Sequence, residues 1–243
     1  MFPLSYDLHI HSCLSPCGDE DMTPANIVGM AALKELGVIA VTDHNSCKNC
    51  PAVMKLGEAY GVLVIPGMEL TTQEEVHVIC LFEELSKAME FDSYVYEHLI
   101  PIPNREDIFG RQLIMDEDEN ILGTVENLLI NSTDIAFDDV YDLVTSYGGI
   151  MIPAHIEKNA NSLISNLGFV PPDSQFSCFE LKDLKARSKV AENSPYLRNC
   201  RVITNSDAHY LKHINEPINF LYCEEKSIRS VLQTLKNKGV LLC

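Results

Sequence analysis

The residues best suited to chemistry in this sequence are histidines and carboxylates that lie within or directly after short apolar runs. The set consists of His9, His11, Asp43, His44, Glu69, His77, His155, Asp207 and His209. Neutral imidazole together with carboxylate suits Zn, Mn, Fe and similar ions, and thiolate is not required. A carboxylate such as Glu69 can also bridge two ions through its two oxygens, as in two-metal hydrolases. These residue types therefore predict a site for divalent metal ions.

The spacing within two pairs suits joint binding of one ion. Residues i and i+2 of a strand point to the same side, so His9 and His11 can reach the same ion. Asp207 and His209 repeat that spacing. Each motif alone has an ordinary explanation, since Asp43 fits an Asx turn and Asp207 fits a helix cap. Several such clusters, each associated with an apolar run, favour a common site instead.

The elements that would position these residues alternate between short apolar runs and helical patterns. The predicted strands cover Leu4–Ile10, Val38–Val41, Val62–Ile65, Val76–Phe82, Ile150–Ile152 and Arg201–Thr204. Helix starts are indicated at Thr23-Pro24, Pro51 and Ser227. The carboxyl ends of parallel strands share one face, so ligands that follow different strands should converge there. The pattern predicts an α/β fold with one shared site.

One segment interrupts the alternation. Between residues 83 and 137, the runs Gln112–Met115 and Asn120–Gly123 flank the acidic stretch Asp116–Glu119, which predicts a hairpin. We therefore expect a single domain over residues 1–243, with an insertion that contains this hairpin at about 97–137.

Composition restricts the partners. The 243 residues include 18 Lys+Arg against 35 Asp+Glu, a net charge of −17. Extended, non-specific nucleic-acid binding needs clustered basic residues, so it is not expected. An anionic substrate would instead be neutralised by bound divalent cations. No secretory signal or membrane span is visible, and the nine cysteines fit reduced thiols, so we expect a cytoplasmic protein without a membrane partner. A monomer is assumed.

The motifs together resemble those of the PHP (polymerase and histidinol phosphatase) family. They occur in family order and are Asp7–Ser12, Thr42–Asn45, Gly67–Glu69, the strand with His77, Pro153–His155 and Asn205–His209. The resemblance implies a distorted (β/α)7 TIM-like barrel with a trinuclear metal site at the C-terminal ends of the strands. It also implies a metal-dependent phosphoric ester hydrolase.

The resemblance further implies how the ligands are shared among two to three divalent ions, of which Mn, Zn and Fe are the candidates. The first ion would be held by His9, His11, Glu69 and Asp207. The second would be held by Glu69, His77 and His155, and the third by His44 and His209. Glu69, Asp207 and His209 would also be the catalytic residues.

The sequence departs from the family pattern after the His-x-His pair. The family places an Asp ligand of the third ion there, but this chain has Pro16 at that position. Asp19 is the nearest replacement, and Glu20, Asp21 and Cys17 are the alternatives, because thiolate also binds metals.

The expected reaction is attack on phosphorus by a metal-activated hydroxide. The substrate would be a small phosphorylated molecule or a nucleic-acid end. We expect a 3′,5′-nucleotide bisphosphate or a 5′-phosphorylated terminus that is cleaved in the manner of a 5′-3′ exonuclease. Arg105 and Arg187 are candidates for binding its phosphate. The alternatives are a metabolite phosphatase of the histidinol-phosphate type and, from another class, a non-catalytic module associated with a polymerase.

Overall fold

The computed structural model describes residues 1–237, and strands and helices alternate along most of them. The strands are β1 (Phe2–Ile10), β2 (Val38–Val41), β3 (Leu63–Thr71), β4 (His77–Leu81), β5 (Leu113–Met115), β6 (Ile121–Thr124), β7 (Ile150–Pro153), β8 (Cys178–Glu180), β9 (Arg201–Ile203) and β10 (Phe220–Cys223). The helices are α1 (Pro24–Leu33), α2 (Cys50–Tyr60), α3 (Leu85–His98), α4 (Glu106–Phe109), α5 (Phe137–Ser146), α6 (Leu163–Leu167), α7 (Arg187–Asn193) and α8 (Ile228–Lys236).

The helix boundaries follow local chemistry that is visible in the sequence. Thr23 caps α1 by accepting a hydrogen bond from the Asn26 N–H, and Ser227 caps α8 in the same way through Ser230. At the other end of α2, Gly61 takes the left-handed conformation that favours glycine. The three helix starts agree with the predicted positions to within one residue.

A curled sheet of six strands, in the order β10-β1-β2-β3-β4-β7, forms the centre of the fold. Strands β1, β2 and β3 are parallel. Strand β10 is antiparallel to β1, and β4 is antiparallel to both β3 and β7. The connection Thr72–Val76 is too short for a parallel crossover, which needs a dozen or more residues, so β4 must reverse direction. The predicted α/β class is confirmed, but its sheet is mixed rather than parallel throughout.

Strands β8 and β9 form a separate parallel pair between the two ends of the curled sheet. On one side, the N–H of Ile156 just after β7 donates to the carbonyl of Glu180 in β8 at 3.1 Å. On the other side, the N–H of His11 just after β1 donates to the carbonyl of Ala208 beyond β9 at 2.9 Å. The carboxyl ends of β1, β2, β7, β8 and β9 therefore lie near one another, together with the start of the reversed β4.

The concave interior of the sheet is filled by alternate apolar side chains. Its members on the strands include Leu4, Tyr6, Leu8, Val38, Ala40, Ile65, Ile79, Leu81, Ile150, Ile152, Cys178 and Ile203. Helix α8 contributes Val231, Leu232 and Leu235 to the same cluster. A second cluster packs α1 and α2 outside β2, and a third packs α3 and α5 outside β4. This close-packed apolar core stabilises the fold and supports the polar residues at the carboxyl ends of the strands.

The direction of the side chains changes near the end of β1, so that His9 and His11 face the polar residues at the carboxyl ends of the strands. Leu8 belongs to the interior cluster, whereas Ile10 packs outside against residues of α1. The pairing register between β1 and β2 shifts between Asp7 and Ile10. Such a bulge re-aims the residues that follow it. As a result, His9 and His11 both face the site.

Strand β3 extends beyond the predicted end at Ile65. The strand continues through Pro66 and Gly67 to Thr71, so Glu69 lies inside a strand rather than after one. Pro66 is the last β3 residue paired with β2, and Gly67 is the first paired with β4. A Cβ on Gly67 would lie 2.9 Å from the Cys80 carbonyl oxygen. Glycine is therefore needed for the close approach of β4.

The segment that interrupts the alternation contains α3, α4 and the antiparallel pair β5–β6, whose turn is Asp116–Asn120. Helix α3 was not predicted, although its buried Ala88, Phe91 and Val95 have helical spacing. The β5–β6 hairpin is held to the body of the protein by Asn49, which accepts from the Met115 N–H and donates to the Leu113 carbonyl. Within residues 1–237, no helix is long and apolar enough to cross a membrane.

Candidate metal centre

Glu69 lies at the middle of a buried cluster of imidazoles. Its carboxylate is reached by five histidine side chains, each from a different position around the curled sheet. The separations from the nearer Glu69 oxygen are 3.2 Å for His9 Nε2, 3.3 Å for His11 Nε2, 3.1 Å for His44 Nδ1, 2.9 Å for His77 Nδ1 and 3.1 Å for His155 Nε2. The convergence expected from the sequence is therefore present around this carboxylate.

The first group of donors is built from the end of β1 and the loop after β9. His9 Nε2 and His11 Nε2 are 3.2 Å apart. Asp207 Oδ1 lies 3.6 Å from His9 Nε2 and 3.5 Å from His11 Nε2. Two imidazole nitrogens and two carboxylates thus surround one position, in the combination that the sequence assigned to the first ion.

The second group depends on the reversed direction of β4. His77 is the first residue of β4 and pairs with Thr71, the last residue of β3. Because β4 is antiparallel, its start lies at the same edge as the carboxyl ends of the neighbouring strands. His155 comes from the other side, two residues beyond β7, and has a positive φ of 29°. Both imidazoles contact Glu69 Oε1.

The third group contains a cysteine. Ligand atoms of His11, Cys17, His44 and His209 lie within 4.8 Å of one another. Asp19 is not in this group; its carboxylate accepts a hydrogen bond from the Asp21 N–H at 3.0 Å. Glu20 and Asp21 are exposed, and Glu20 contacts Arg111. Of the four candidates for the missing family Asp, the structure brings only Cys17 to the histidines.

A second layer of hydrogen bonds fixes the orientation of the imidazoles. His9 Nδ1 is 2.9 Å from Glu180 Oε2, and His11 Nδ1 is 3.0 Å from Ser15 Oγ. His209 Nδ1 is 2.9 Å from the backbone carbonyl of Asp207. Each of these contacts leaves Nε2 available, which is the usual arrangement around metal-binding histidines.

Glu180 was not identified from the sequence. It is fully buried at the end of β8. The signal that could have found it is the apolar stretch Phe176–Phe179 directly before it, the same pattern that precedes the other acidic and imidazole residues. Asp43, by contrast, has a structural role, because it accepts hydrogen bonds from Ser12 and Ser15 and thereby holds the loop after β1 in place.

The charges of the cluster suit a cation. Burial alone would raise the pKa of Glu69, but His77 and His9 hold that pKa well below its usual range. Burial lowers the pKa of His44 well below its usual value, and burial together with His11 lowers the pKa of His209 to about 4. Burial alone would lower the pKa of His9 and His11, but Glu69 and Asp207 raise both. Metal ions bind ionised carboxylate and neutral imidazole, so His44 and His209 are ready to bind, whereas an ion would have to displace protons from His9 and His11. Burial raises the pKa of Cys17 to about 12, so a metal would have to displace its proton.

Unsatisfied polar atoms in the cluster also fit bound metal. Buried donors and acceptors are normally hydrogen-bonded. Within residues 1–237, the buried side-chain atoms without a hydrogen-bond partner include His77 Nε2 and His155 Nδ1. They also include His44 Nδ1 and Glu69 Oε2, which are 3.1 Å apart but do not have hydrogen-bond geometry. These atoms belong to the residues whose donor chemistry suits Zn, Mn or Fe. The residues present therefore fit divalent ions.

Two lysines, rather than the predicted arginines, lie at the open side of the centre. Lys158 Nζ is 3.1 Å and Lys182 Nζ is 4.0 Å from Asp207 Oδ2. Both lysine side chains are nearly half exposed. Arg105 is exposed and paired with Asp107, and Arg187 is exposed at the start of α7. The structure brings neither arginine into the cluster.

The fold and this centre define a class of protein. The family model described as PHP domain matches residues 7–165, which is more than half of the chain, and the chain belongs to this family. The recognition made from the motifs is thereby confirmed.

Curated relatives match shorter stretches. An uncharacterized protein (MJ1587) of Methanocaldococcus jannaschii is 35% identical over 92 residues, which covers 34% of this chain and 54% of that protein. The 5′-3′ exoribonuclease Rnm of Salmonella typhimurium is 32% identical over 85 residues, which covers 33% of this chain and 28% of that enzyme. The matched regions thus span about half or less of these relatives.

Solved structures share the fold along nearly the whole chain. The lesion-specific endonuclease PfuEndoQ of Pyrococcus furiosus has a TM-score of 0.68 at 20% identity, covering 98% of this chain and 57% of that one. A structure of endonuclease Q with a 27-mer duplex, whose abasic lesion lies at the active site, has a TM-score of 0.66 at 18% identity, covering 98% and 58%. A candidate metal-dependent phosphoesterase of Bifidobacterium adolescentis has a TM-score of 0.62 at 15% identity and covers 97% of both chains.

Proposed function

We propose that this protein is a metal-dependent phosphoesterase. The observation that carries the proposal is the buried carboxylate of Glu69 with five imidazole nitrogens within 3.3 Å of its oxygens. Burial of a carboxylate and several imidazoles costs desolvation free energy, so this arrangement is not explained by fold stability. It concentrates metal-binding groups at one edge of the sheet, which is typical of a functional site. Membership of the PHP domain family and the exoribonuclease and endonuclease relatives support a hydrolase.

We propose that the centre holds two to three divalent ions of the Mn, Zn or Fe class. The first would be held by His9, His11, Glu69 and Asp207, the second by Glu69, His77 and His155, and the third by a set that includes His44 and His209. Strands β1, β2, β3, β4, β7, β8 and β9 would form the distorted seven-strand barrel around them. The hydrogen bonds from Ile156 to Glu180 and from His11 to Ala208 support that closure.

The proposed role of each residue follows from its position in the centre. Bound divalent ions would supply a water of lowered pKa and neutralise the phosphate under attack. Glu69 and Asp207 provide the negative charge that retains the ions, while Glu180 keeps His9 in the tautomer that leaves Nε2 free. Lys158 and Lys182 lie beside Asp207 at the exposed side, where their ammonium groups can bind the substrate phosphate.

The proposed substrate is a nucleotide or a 5′-phosphorylated nucleic-acid end, such as a 3′,5′-nucleotide bisphosphate. A curated relative is named a 5′-3′ exoribonuclease, and a structural relative holds a duplex at its active site, which supports this class. The net charge of −17 disfavours grip on long nucleic-acid tracts but not binding of a single end beside two lysines and bound cations.

The test is turnover by the Mn²⁺-loaded protein of a nucleoside 3′,5′-bisphosphate, a short 5′-phosphorylated RNA and histidinol phosphate. Asp207→Asn removes a proposed ligand but keeps a residue that tolerates the positive φ of 55° at this position. Asp142→Asn, on the exposed face of α5, is the matched control.

Turnover of the nucleotides that is lost only in Asp207→Asn is the expected result. Turnover of histidinol phosphate alone would overturn the proposed substrate and favour a metabolite phosphatase. Absence of turnover with ions bound and the fold intact would overturn the hydrolase and favour a non-catalytic module.

A further inference from the structure

We propose that Cys17 is a thiolate ligand of an outer metal position, which it forms with His44 and His209. This position would take a thiol-tolerant ion of the Zn or Co class. The inference rests on the proposed metal centre and goes beyond it, because it assigns a sulfur ligand where the family has an oxygen. It also predicts that the outer position selects a different ion from the inner ones.

The donor atoms are already grouped. Ligand atoms of His11, Cys17, His44 and His209 lie within 4.8 Å of one another. A tetrahedral zinc site with Zn–N of about 2.0 Å and Zn–S of about 2.3 Å has edges of roughly 3.3 to 3.8 Å. The donors therefore need to approach by roughly 1 Å, which rotation of the half-buried Cys17 and His209 side chains can supply.

His11 belongs to both the inner and the outer groups, but it can serve only one ion. Its Nδ1 contacts Ser15 Oγ, and its Nε2 lies near His9, Glu69 and Asp207. Once His11 Nε2 is used by the first ion, the outer position retains Cys17, His44 and His209. Three protein ligands with a fourth position open are typical of catalytic rather than structural zinc sites.

The backbone around Cys17 directs its side chain to this place. The Asp19 N–H donates to the carbonyl of His209 at 2.9 Å, which ties the loop after β1 to the loop after β9. Gly18 lies so close to the loop that a Cβ there would be 2.3 Å from the Ser12 carbonyl oxygen. No other residue type fits at position 18 without moving this loop, so Cys17 is held beside the histidines by the two residues that follow it.

The donor set predicts metal selectivity. Thiolate with two imidazoles favours Zn, Co or Fe(II) over Mn and Mg, which prefer carboxylate and water oxygen. Neither Asp19 nor the exposed Glu20 and Asp21 competes for this position among the groups found in residues 1–237. The centre would then combine one sulfur-containing position with inner positions built from nitrogen and oxygen alone.

The first test is the absorption spectrum of the full-length protein loaded with Co²⁺. A thiolate-to-cobalt charge-transfer band in the near ultraviolet is expected for the parent protein and is expected to be lost in Cys17→Ala. Cys13→Ala is the matched control, because Cys13 lies in the same loop but its Sγ contacts Leu113 and Met115. Cys17→Asp should lose the band yet keep the cobalt equivalent that Cys17→Ala loses.

The second test uses the unaltered protein and so does not depend on folding of a variant. Alkylation by iodoacetamide is mapped by mass spectrometry with and without Co²⁺, and bound metal is expected to slow modification of Cys17 at least tenfold. Equal alkylation rates, or a charge-transfer band that persists in Cys17→Ala, would overturn the inference. A protein with the band but without hydrolysis would refute only the proposed function, and hydrolysis without the band would refute only this inference.

Discussion

The inner and outer halves of the metal centre are built in different ways. The inner half comprises His9, Glu69, His77 and His155, which lie on paired strands or within two residues of one and are at most 5% exposed. The outer half comprises Cys17 and His209 of the outer position, together with Asp207 at the solvent side of the first position. These three residues lie on loops and are partly open to solvent. The sheet ladder thus fixes the inner ligands, whereas the outer ligands depend on a few loop hydrogen bonds.

This difference matches the way in which the chain follows or departs from the family motifs. Ligands on hydrogen-bonded strands are held in place by the apolar core beneath them, so they are pre-positioned before an ion arrives. Ligands on loops can change type with less cost to the core. The family pattern accordingly holds at the inner half, and the departure from it occurs in the loop after β1.

The largest expected effect comes from removing the shared carboxylate of the inner half. Glu69→Gln should lower turnover roughly 10³-fold or more, because the groups proposed for two ions both include Glu69. It should also reduce the stabilisation that metal at 100 times its Kd provides, which is about 2.7 kcal/mol for an intact site. Turnover assays and thermal unfolding with and without Mn²⁺ measure both effects.

Glu58→Gln, on the exposed face of α2, is the control for that variant. If the Glu69→Gln protein kept turnover within tenfold of the parent, the inner half would not take part in the reaction.

Glu180 should have the next largest effect, through His9. Glu180→Ala removes the acceptor for His9 Nδ1 and should weaken metal binding by about 10- to 100-fold, as for other residues that orient metal-bound histidines. Glu180→Gln should recover part of the loss, because its amide oxygen can accept the same hydrogen bond. Calorimetric titration with Zn²⁺ or Mn²⁺ measures the affinity. Equal affinity in all three proteins would show that β8 contributes packing alone.

The lysines at the outer half should affect substrate more than metal. Lys158→Ala and Lys182→Ala should each raise KM about tenfold, equivalent to about 1.4 kcal/mol, with a smaller change in kcat. Steady-state kinetics with a 5′-phosphorylated RNA gives both constants. Lys87→Ala, on the exposed side of α3, is the control. A fall in kcat at unchanged KM would instead place the lysines in the chemical step.

The smallest effect is expected at the two arginines that the sequence singled out. Arg105→Ala and Arg187→Ala should change KM by less than about twofold, because both side chains are exposed and Arg105 is paired with Asp107. The same assay applies. A tenfold rise in KM for either variant would show that substrate extends far beyond the lysines at the open side.

The convergence of these side chains could be predicted from the sequence where motif and element coincide. The strand pattern with its imidazole and carboxylate residues indicated one shared site, and Glu69 does contact five of the predicted histidines. The ten residues between the predicted strands Val62–Ile65 and Val76–Phe82 are fewer than a parallel crossover needs. That gap could have indicated that β4 is antiparallel and that His77 lies at the start of a strand.

Other features could not be read so directly. Strand β8 has only three residues, so the stretch Phe176–Phe179 before Glu180 is a weaker signal than the longer apolar runs before the other site residues. Lys158 and Lys182 lie in loops, where position is set by tertiary contacts rather than by local propensity. The choice between Cys17 and Asp19 depended on the side-chain directions of a loop held by Gly18, which spacing alone does not fix.

The left-handed backbone at His155 and Asp207 limits which residues these two positions accept without strain. Their φ angles of 29° and 55° lie in the left-handed region, which glycine adopts without strain and which asparagine and aspartate adopt more readily than most residues. Replacement of His155 by glycine would relieve that strain while deleting a candidate ligand. At His155 the most stable backbone and the complete set of candidate ligands therefore call for different residues. The positive φ at this position exchanges a small amount of fold stability for the placement of an imidazole beside Glu69.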